Sequence, residues 1–327
     1  MDTGTHFVIG LGLGGLAMVD PVLSADTTTA AAAITGMVLG SQAPDADTIL
    51  RLKGNATYIR NHRGITHSLP FLFIWTLVIT GILTLVFGSL PIVHIAAWVF
   101  LAVALHVFSD LFNTYGTQAI RPFSHKWISW NIIHIFDPYI FASHTFALIL
   151  WGLGISTPQI IFPVLYSTVV LYYVIKTVHH YRLTRSMPQL DPEHVEGESY
   201  MLIPTVKYHV WNVVKKQADG EYRLGELSSR QLKWIDSASC SDHPLVKKAE
   251  QHPDIQSFLY FTKYACAEWK EHPWGYEVRW FDVRYRHRKQ YPFVAVVVLN
   301  RNEEIMDSYV GWISDKRMEK KLRFDSY

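Results

Sequence analysis

The sequence has few cysteines, and its first half has few charges. Cys240 and Cys266 are the only cysteines among 327 residues, too few for a disulfide framework or a zinc site built on cysteine. We therefore expect both to be reduced and structural. Residues 1–177 contain 7 Lys/Arg and 7 Asp/Glu, whereas residues 178–327 contain 23 and 21. The first part is typical of a membrane protein and the second of a soluble domain.

The chain also lacks a strong net charge and a basic amino-terminal segment. Its formal net charge of +2 does not indicate nucleic acid or an anionic membrane surface as a partner. The opening residues, MDTGTHFVIGLGLGG, place an aspartate but no Lys or Arg ahead of the apolar run, unlike a cleaved signal peptide. We expect this segment to remain on the mature protein.

Six apolar stretches predict an all-α polytopic membrane helix bundle. They lie at about residues 7–19, 28–43, 69–89, 91–112, 132–154 and 157–177. The last four have the roughly 20 residues that a helix needs to cross a bilayer, and the first two are shorter and rich in Gly and Ala. We predict about six helices in a membrane domain at 1–180, a linker at 181–200 and a soluble domain at 201–327.

The carboxyl-terminal part has strand-like segments, which predict a soluble α+β domain. TVKYHVWNVV and EYRLGEL flank the turn signal ADG and predict a hairpin. YEVRWFDVRYR and FVAVVVLN predict two further strands. The alternation of apolar residues in the first of these slips by one position, and we expect a β-bulge near Phe281.

The distribution of Lys and Arg predicts that both termini are cytoplasmic, because basic residues accumulate on that side of a membrane. In a six-helix arrangement all basic loops lie on one face, and the connections at 20–26, 88–91 and 155–158 contain no Lys or Arg. The basic residues are Arg51, Lys53, Arg60, Arg63, Arg121, Lys126, Lys176, Arg182 and Arg185.

Eight histidines and aspartates of the first part lie where its predicted helices begin and end. In the six-helix arrangement all of them occupy the cytoplasmic ends, in one layer near the membrane surface. They are His6, Asp45, Asp47, His62, His67, His106, Asp110 and His134. Residues that are distant in sequence are thereby expected to form one polar site.

These residue types are suited to binding a divalent metal. Neutral imidazole and carboxylate bind zinc or manganese at about 2.0 to 2.2 Å. His106 and Asp110 are four residues apart, so a helix places them on one face. A lone histidine at a helix end is more often an ordinary hydrogen-bonded residue, but an ionisable residue inside an apolar span costs about 2.5 to 3.5 kcal/mol and is usually functional. We predict one or more metal ions, with zinc favoured over manganese and iron.

For other polar residues near the predicted site the sequence leaves alternative roles open. Arg63 offers a planar fork for a phosphate or carboxylate, although it also fits the ordinary role of a basic residue at a cytoplasmic helix end. Asp45 or Asp47 is the candidate general base, with the other binding metal. Asn113 and Thr114 are either supporting partners of the ligands or simple caps.

Taken together, His6 and the segments PDAD, HRGITHS, HVFSDLFNTYGT and RPFS resemble the membrane-bound metal-dependent hydrolase family of the YdjM type, over about residues 1–180. That family is distantly similar to zinc-dependent phospholipase C, a helical phosphodiesterase whose zinc ions are held by His and Asp. The resemblance implies that His106 and Asp110 hold zinc and that the other listed histidines and aspartates are further ligands. The carboxyl-terminal part lies outside this resemblance.

The leading functional hypothesis is a membrane-embedded metal-dependent hydrolase of a phosphoester, plausibly a lipid. One alternative is a non-enzymatic metal-binding sensor or transporter, although few polar residues are expected at mid-membrane depth. Another is a regulatory protein that binds nucleic acid or anionic headgroups through RWFDVRYRHRK, residues 279–289. An antiparallel strand with inward aromatic and outward basic residues explains that segment without a ligand, so nucleic acid is the least favoured partner.

Overall fold

The computed structural model describes residues 1–286 and 290–322, which form two compact units. The first unit comprises residues 1–47, 63–183 and 204–208. The second comprises residues 48–62, 184–203 and the described part of 209–327. Residues 287–289 of the basic segment lie outside the described residues.

Each of the six predicted apolar segments contains a helix, although the fifth becomes helical only at Pro138, and the predicted fold class is confirmed. The helices are α1 Thr3–Leu16, α2 Thr27–Gln42, α4 Leu69–Phe87, α5 Ile92–Leu111, α6 Pro138–Gly152 and α7 Pro158–Leu190, with a short α3 at Asn55–Asn61. Three of them, α4, α5 and α7, are long and apolar enough to cross a membrane, and α1 continues as a shorter apolar helix to Val19.

The acidic residues that begin helices act as caps. Asp2, Asp26 and Asp137 each accept a backbone N–H from the first turn of α1, α2 and α6. Such a side chain satisfies N–H groups that have no partner within the helix. Three of the seven acidic residues in the first part are thus explained by local structure.

Small residues allow the first helices to pack closely. A Cβ on Gly10 of α1 would lie 2.2 Å from Ser41 Oγ on α2, and one on Gly40 would lie 3.0 Å from the Ala102 Cβ on α5. Close approach through small residues is the usual packing mode of helices in membranes. It brings the carboxyl-terminal end of α2 against α5, which positions the site described below.

The helix α7 extends further than the apolar pattern suggested. It continues to Leu190, so residues 181–190 of the predicted linker are helical. Leu183 and Met187 are spaced i, i+4 on this extension and both are buried, which gives the polar segment an apolar face.

The second unit contains two four-stranded sheets, ordered β1-β2-β3-β4 and β5-β6-β7-β8. The strands are β1 Ser199–Pro204, β2 Val210–Lys216, β3 Tyr222–Ser228, β4 Gln231–Ala238, β5 Ala265–His272, β6 Gly275–Asp282, β7 Phe293–Asn300 and β8 Ile305–Trp312, and the helices are α8 Pro244–Ala249, α9 Pro253–Phe261 and α10 Asp315–Lys321. The predicted hairpin is confirmed as β2 and β3, which pair antiparallel.

The predicted β-bulge near Phe281 is wrong. The pairing of β6 with β5 runs without a shift through Phe281 to Asp282, where the strand ends and a 3₁₀ turn begins at Val283. Trp280 and Phe281 are both buried, because β6 is covered on both faces. Burial of both faces removes the simple alternation on which the bulge was predicted.

The expectation that both cysteines are reduced is also wrong. Cys240 and Cys266 form a disulfide in the second unit, with Cα atoms 5.0 Å apart. Ser241 N donates to Ala267 O at 2.8 Å, which holds the segment after β4 alongside β5. Proximity created by two different sheets is not visible in the sequence.

The segment that connects α2 to α4 contributes α3 to the second unit. There the Arg60 guanidinium lies over the Tyr260 ring of α9, 5.1 Å from its centroid. A Cβ on Gly311 of β8 would lie 3.3 Å from Asn55 Nδ2, so α3 also approaches this strand closely. The chain therefore leaves the first unit after Asp47 and re-enters it at Arg63.

A buried charge network stabilises the first sheet of the second unit. The Lys215 Nζ of β2 lies 2.9 Å from Asp191 Oδ2 and 2.7 Å from Glu198 Oε2, and all three side chains are almost fully buried. Burial opposes ionisation of Asp191, but hydrogen bonds from Tyr200 and Lys215 outweigh it and lower the pKa of this carboxyl to about 2. The lysine is therefore needed to balance a charge that is present at neutral pH.

We predict that Lys215→Met destabilises the second unit by about 3–5 kcal/mol, because two carboxylates lose their buried cation. Hydrogen–deuterium exchange of β2 to β4 should become correspondingly faster. Lys216→Met is the matched control, since Lys216 is the exposed neighbour on the same strand and should change exchange little. Equal protection in both variants would contradict the role assigned to Lys215.

Candidate metal centre

Four residues of the predicted polar layer converge in the first unit. Asp45, His67, His106 and Asp110 each offer a ligand atom, and these atoms all lie within 4.8 Å of one another. The set supplies two imidazole nitrogens and two carboxylate oxygens. We call these four residues the His/Asp cluster.

The cluster is built from a helix and two 3₁₀ turns. His106 and Asp110 lie one turn apart near the end of α5, with Nε2 and Oδ2 3.6 Å apart. Asp45 comes from the turn at Ala43–Lys53 that follows α2, and His67 from the turn at Ile65–His67 that precedes α4. His67 Nε2 lies 3.5 Å from both Asp45 Oδ1 and Asp110 Oδ2.

A backbone carbonyl sets the proton position on His106. Its Nδ1 lies 2.6 Å from the Ser41 carbonyl oxygen, which can only accept, so Nδ1 carries the proton. Nε2 is then left with a lone pair that faces the two carboxylates. An imidazole oriented in this way by its second nitrogen is typical of a metal ligand.

A two-step hydrogen-bond chain sets the proton position on His67. Thr66 Oγ1 donates to Asp47 Oδ2 at 2.8 Å and therefore accepts from His67 Nδ1, which lies 3.0 Å away. This again leaves Nε2 as the lone-pair nitrogen. Asp47 is thus brought to the site as a partner of Thr66.

The charges of the cluster suit a cation. Burial is the largest effect on His67 and lowers its pKa to about 3, although Asp45 and Asp47 act to raise it. Burial opposes ionisation of Asp45, but interactions with His106 and His67 outweigh it and hold the pKa of Asp45 far below its ordinary value. At neutral pH the site therefore contains neutral His67 and ionised Asp45.

The ligand-facing atoms lack other partners. Among the residues that the structure describes, Asp45 Oδ1, His106 Nε2 and Asp110 Oδ2 are buried and have no hydrogen-bond partner. Unpartnered buried polar atoms are costly. Their convergence, with nitrogen and carboxylate oxygen donors, fits a divalent ion such as zinc.

His6 extends the cluster on one side. Its ring stacks on that of His106 with centroids 3.7 Å apart, and its Nε2 lies 3.3 Å from Asp110 Oδ1. It is buried, and neither ring nitrogen has a hydrogen-bond partner within the described part of the chain. The structure therefore brings His6 to the site, as the sequence predicted.

Arg63 lies at the site but is engaged by protein groups. Its Nη1 donates to Asn113 Oδ1 and its Nη2 to the Met1 carbonyl, both at 3.2 Å. Nη2 also lies 3.4 Å from Asp110 Oδ1, which in addition accepts from the Met1 amino group. The guanidinium thus supports Asp110 and the amino-terminal segment, and its role as a phosphate clamp stays a prediction.

Two predicted ligands are not part of the His/Asp cluster. His62 belongs to the second unit, where its ring stacks on Tyr58 with centroids 4.6 Å apart. His134 lies in a loop before α6, and its Nδ1 is 2.8 Å from the Phe136 carbonyl oxygen. Their roles as ligands stay predictions.

Two supporting groups were not assigned from the sequence. The role of the Ser41 carbonyl could not have been predicted from the sequence, because every residue has a backbone carbonyl and the residue type gives no signal. Thr66 could have been suspected, since a hydroxyl next to a predicted ligand and near Asp47 is a suitable bridge.

We predict that Thr66→Val weakens metal binding by about 10- to 100-fold, because His67 Nδ1 loses its acceptor. Thr66→Ser retains the hydroxyl and should bind metal almost as well as the unmodified protein. Competition with a chelating dye measures both affinities. Equal affinities for the Val and Ser variants would contradict the hydrogen-bond chain.

Comparison with known proteins identifies both parts of the chain. The YdjM inner membrane protein family matches residues 1–183, and the YfhP C-terminal alpha/beta plait domain matches residues 244–322. The chain is 41% identical to the uncharacterized protein YfhP of Bacillus subtilis (strain 168), with 100% of both chains covered. No solved structure matches.

These matches agree with the apolar helices α4, α5 and α7 and with the sheets of the second unit. The chain is a membrane protein that belongs to the YdjM inner membrane protein family.

Proposed function

We propose that the protein is a membrane-embedded metal-dependent hydrolase of a phosphoester, with a lipid as the substrate class. The observation that carries the proposal is the convergence of two imidazoles, each with its proton held on Nδ1, and two carboxylates in one buried cluster. A divalent ion held there would act as a Lewis acid, lowering the pKa of a water and offsetting charge on phosphate oxygens. Zinc is the ion best suited to this donor set.

The side chains around the ion would have distinct tasks. The side chain of Asp45 is 17% exposed, whereas those of His67, His106 and Asp110 are fully buried. Asp45 is therefore the ligand that a substrate approaches, and we assign its second oxygen to accept a proton from the attacking water. Asp47 acts through Thr66 by holding His67 in place. Arg63 keeps Asp110 oriented and balances part of its charge.

A lipid substrate fits the surroundings of the cluster. His106 and Asp110 lie near one end of α5, a helix long and apolar enough to cross a membrane. A site at the end of such a helix lies near the depth of lipid headgroups. The non-enzymatic alternative, a metal sensor or transporter, is favoured by the burial of three of the four ligands, and the experiment below separates the two.

The carboxyl-terminal segment gives little support to nucleic-acid binding. Arg279, Arg284 and Arg286 donate to the carboxylates of Asp315, Asp282 and Asp236, respectively. Cations already paired with carboxylates are less available for phosphates. This supports the view of the segment as part of a folded sheet.

We predict that His106→Ala and Asp110→Asn each lower bound metal at least about tenfold and phosphodiesterase activity about 10²-fold or more. The purified protein in detergent would be analysed for metal and assayed on a panel of phosphoester lipids and nucleotides. His94→Ala is the matched control, because His94 lies on the same helix about 18 Å away and pairs with Asp20.

Unchanged metal in both variants would contradict the metal centre. A normal metal content in the unmodified protein, with no activity on any phosphoester, would reject the hydrolase and favour the sensor or transporter.

We further propose that both termini and the His/Asp cluster are cytoplasmic in a multi-pass arrangement, from the distribution of Lys and Arg. The disulfide favours the opposite side for the second unit, because such bonds persist in oxidising compartments. A direct test is therefore needed.

We predict that, in a Cys240→Ala, Cys266→Ala background, Ser24→Cys reacts with a membrane-impermeant maleimide in intact cells and Asn302→Cys reacts only after lysis. Both positions are exposed, so differences in reactivity report the side of the membrane. The reverse pattern would overturn the proposed orientation and explain the disulfide.

A further inference from the structure

An apolar cavity of about 360 Å³ lies in the first unit and is lined in part by α5, the helix that carries His106 and Asp110. It is formed by α1, α5, α6 and α7, and its volume falls in the range of small-molecule sites. Its lining includes Ile9, Leu105, Phe108, Ser109, Phe112 and His144. Nine of the fourteen lining side chains are hydrocarbon, and the others are a serine, a threonine, two tyrosines and His144, so the occupant must be mostly apolar.

The cavity and the cluster occupy neighbouring faces of the same helix. On α5, Leu105, Ser109 and Phe112 line the cavity, and His106 and Asp110 belong to the cluster. His106 and Asp110 each directly follow a cavity residue in the sequence. This spacing corresponds to a rotation of about 100° around the helix. The cavity and the cluster are therefore adjacent along α5, although no cluster residue lines the cavity.

The open side of the cavity is continuous with the apolar surface of α7. Val170, Val174 and Val178 line it at a spacing of four residues and are 61%, 53% and 43% exposed. The same helix is long and apolar enough to cross a membrane. The cavity therefore opens sideways into the hydrocarbon of the bilayer, which makes a lipid chain its occupant.

One lining residue of the cavity, His144, has a buried polar atom without a partner in the described part of the chain. His144 is 1% exposed, and its Nδ1 lies 2.7 Å from the Ile140 carbonyl oxygen. Nδ1 must donate to that oxygen, so Nε2 is an acceptor, and it has no hydrogen-bond partner among residues 1–286 and 290–322. A ligand that satisfies it has to offer a hydroxyl or an amide N–H.

The position of His144 along α1 relates it to the side of the first unit where the cluster lies. Its ring packs against Gly12 of α1, where a Cβ would lie 3.0 Å from His144 Cδ2. Gly12 is six residues beyond His6, or about 9 Å along the helix. His144 therefore packs against α1 about 9 Å along the helix axis from His6, whose ring stacks on that of His106.

We propose that this cavity binds a membrane lipid phosphoester with a hydroxyl or amide N–H in its backbone, placing its phosphoester at the His/Asp cluster and its hydrocarbon chain between α5 and α7. The inference rests on the proposed function, whose substrate class it narrows. His144 is the specificity-determining residue of this site.

The test uses the purified full-length protein and a lysophosphatidic acid with a photoreactive diazirine on its chain, alongside the same lipid with its free hydroxyl methylated. We expect the hydroxylated lipid to label the protein about five- to tenfold more strongly at limiting concentration, the value of one hydrogen bond. His144→Leu should abolish this preference.

Val174→Trp should fill the cavity and lower labelling by both lipids about tenfold. Leu171→Trp is the matched control, because Leu171 is 58% exposed on the same helix and is not part of the lining. Metal content should be unchanged in all three variants, which separates this test from that of the metal centre.

Equal labelling in the Val174 and Leu171 variants would overturn the cavity as the lipid site. Equal labelling by the two lipids in the unmodified protein would overturn the role of His144, and Nε2 would then be satisfied by a water. Loss of metal from the unmodified protein would instead count against the proposed function.

Discussion

The burial of three carboxylates in one layer is the constraint on which the first unit depends. Asp47 and Asp110 are almost fully buried, and Asp45 is largely so, whereas Arg63 is the one buried guanidinium that the structure describes among them. Burial lowers the pKa of the nearby Met1 amino group well below its ordinary value, so this group adds little positive charge. Ionised groups in a medium of low dielectric constant need compensation, and a divalent cation among the carboxylates would supply it.

Helix spacing made one part of the site predictable. His106 and Asp110 converge because residues four apart share a helix face, and this holds whatever surrounds them. Asp45 and His67 were also named, but their convergence depends on close packing of α2 against α5, which the glycines permit and the sequence does not display.

In the soluble part, too, structure that depends on neighbouring residues was predictable, whereas contacts between distant segments were not. The hairpin of β2 and β3 was predictable from its turn residues. The disulfide and the buried Lys215 were not, because they join elements that become neighbours only in the folded sheets. An isolated lysine on a strand also looks the same in sequence whether it faces solvent or, as with Lys215, two buried carboxylates.

The path of the chain between α2 and α4 has a consequence for the His/Asp cluster. Residues 48–62 belong to the second unit. The two residues that flank this segment are joined by a hydrogen bond, because the Arg63 N–H donates to Asp47 Oδ2 at 3.0 Å. The same oxygen accepts from Thr66 Oγ1, and Thr66 in turn holds the imidazole of His67. One carboxylate thus both closes this excursion of the chain and orients a ligand of the buried cluster.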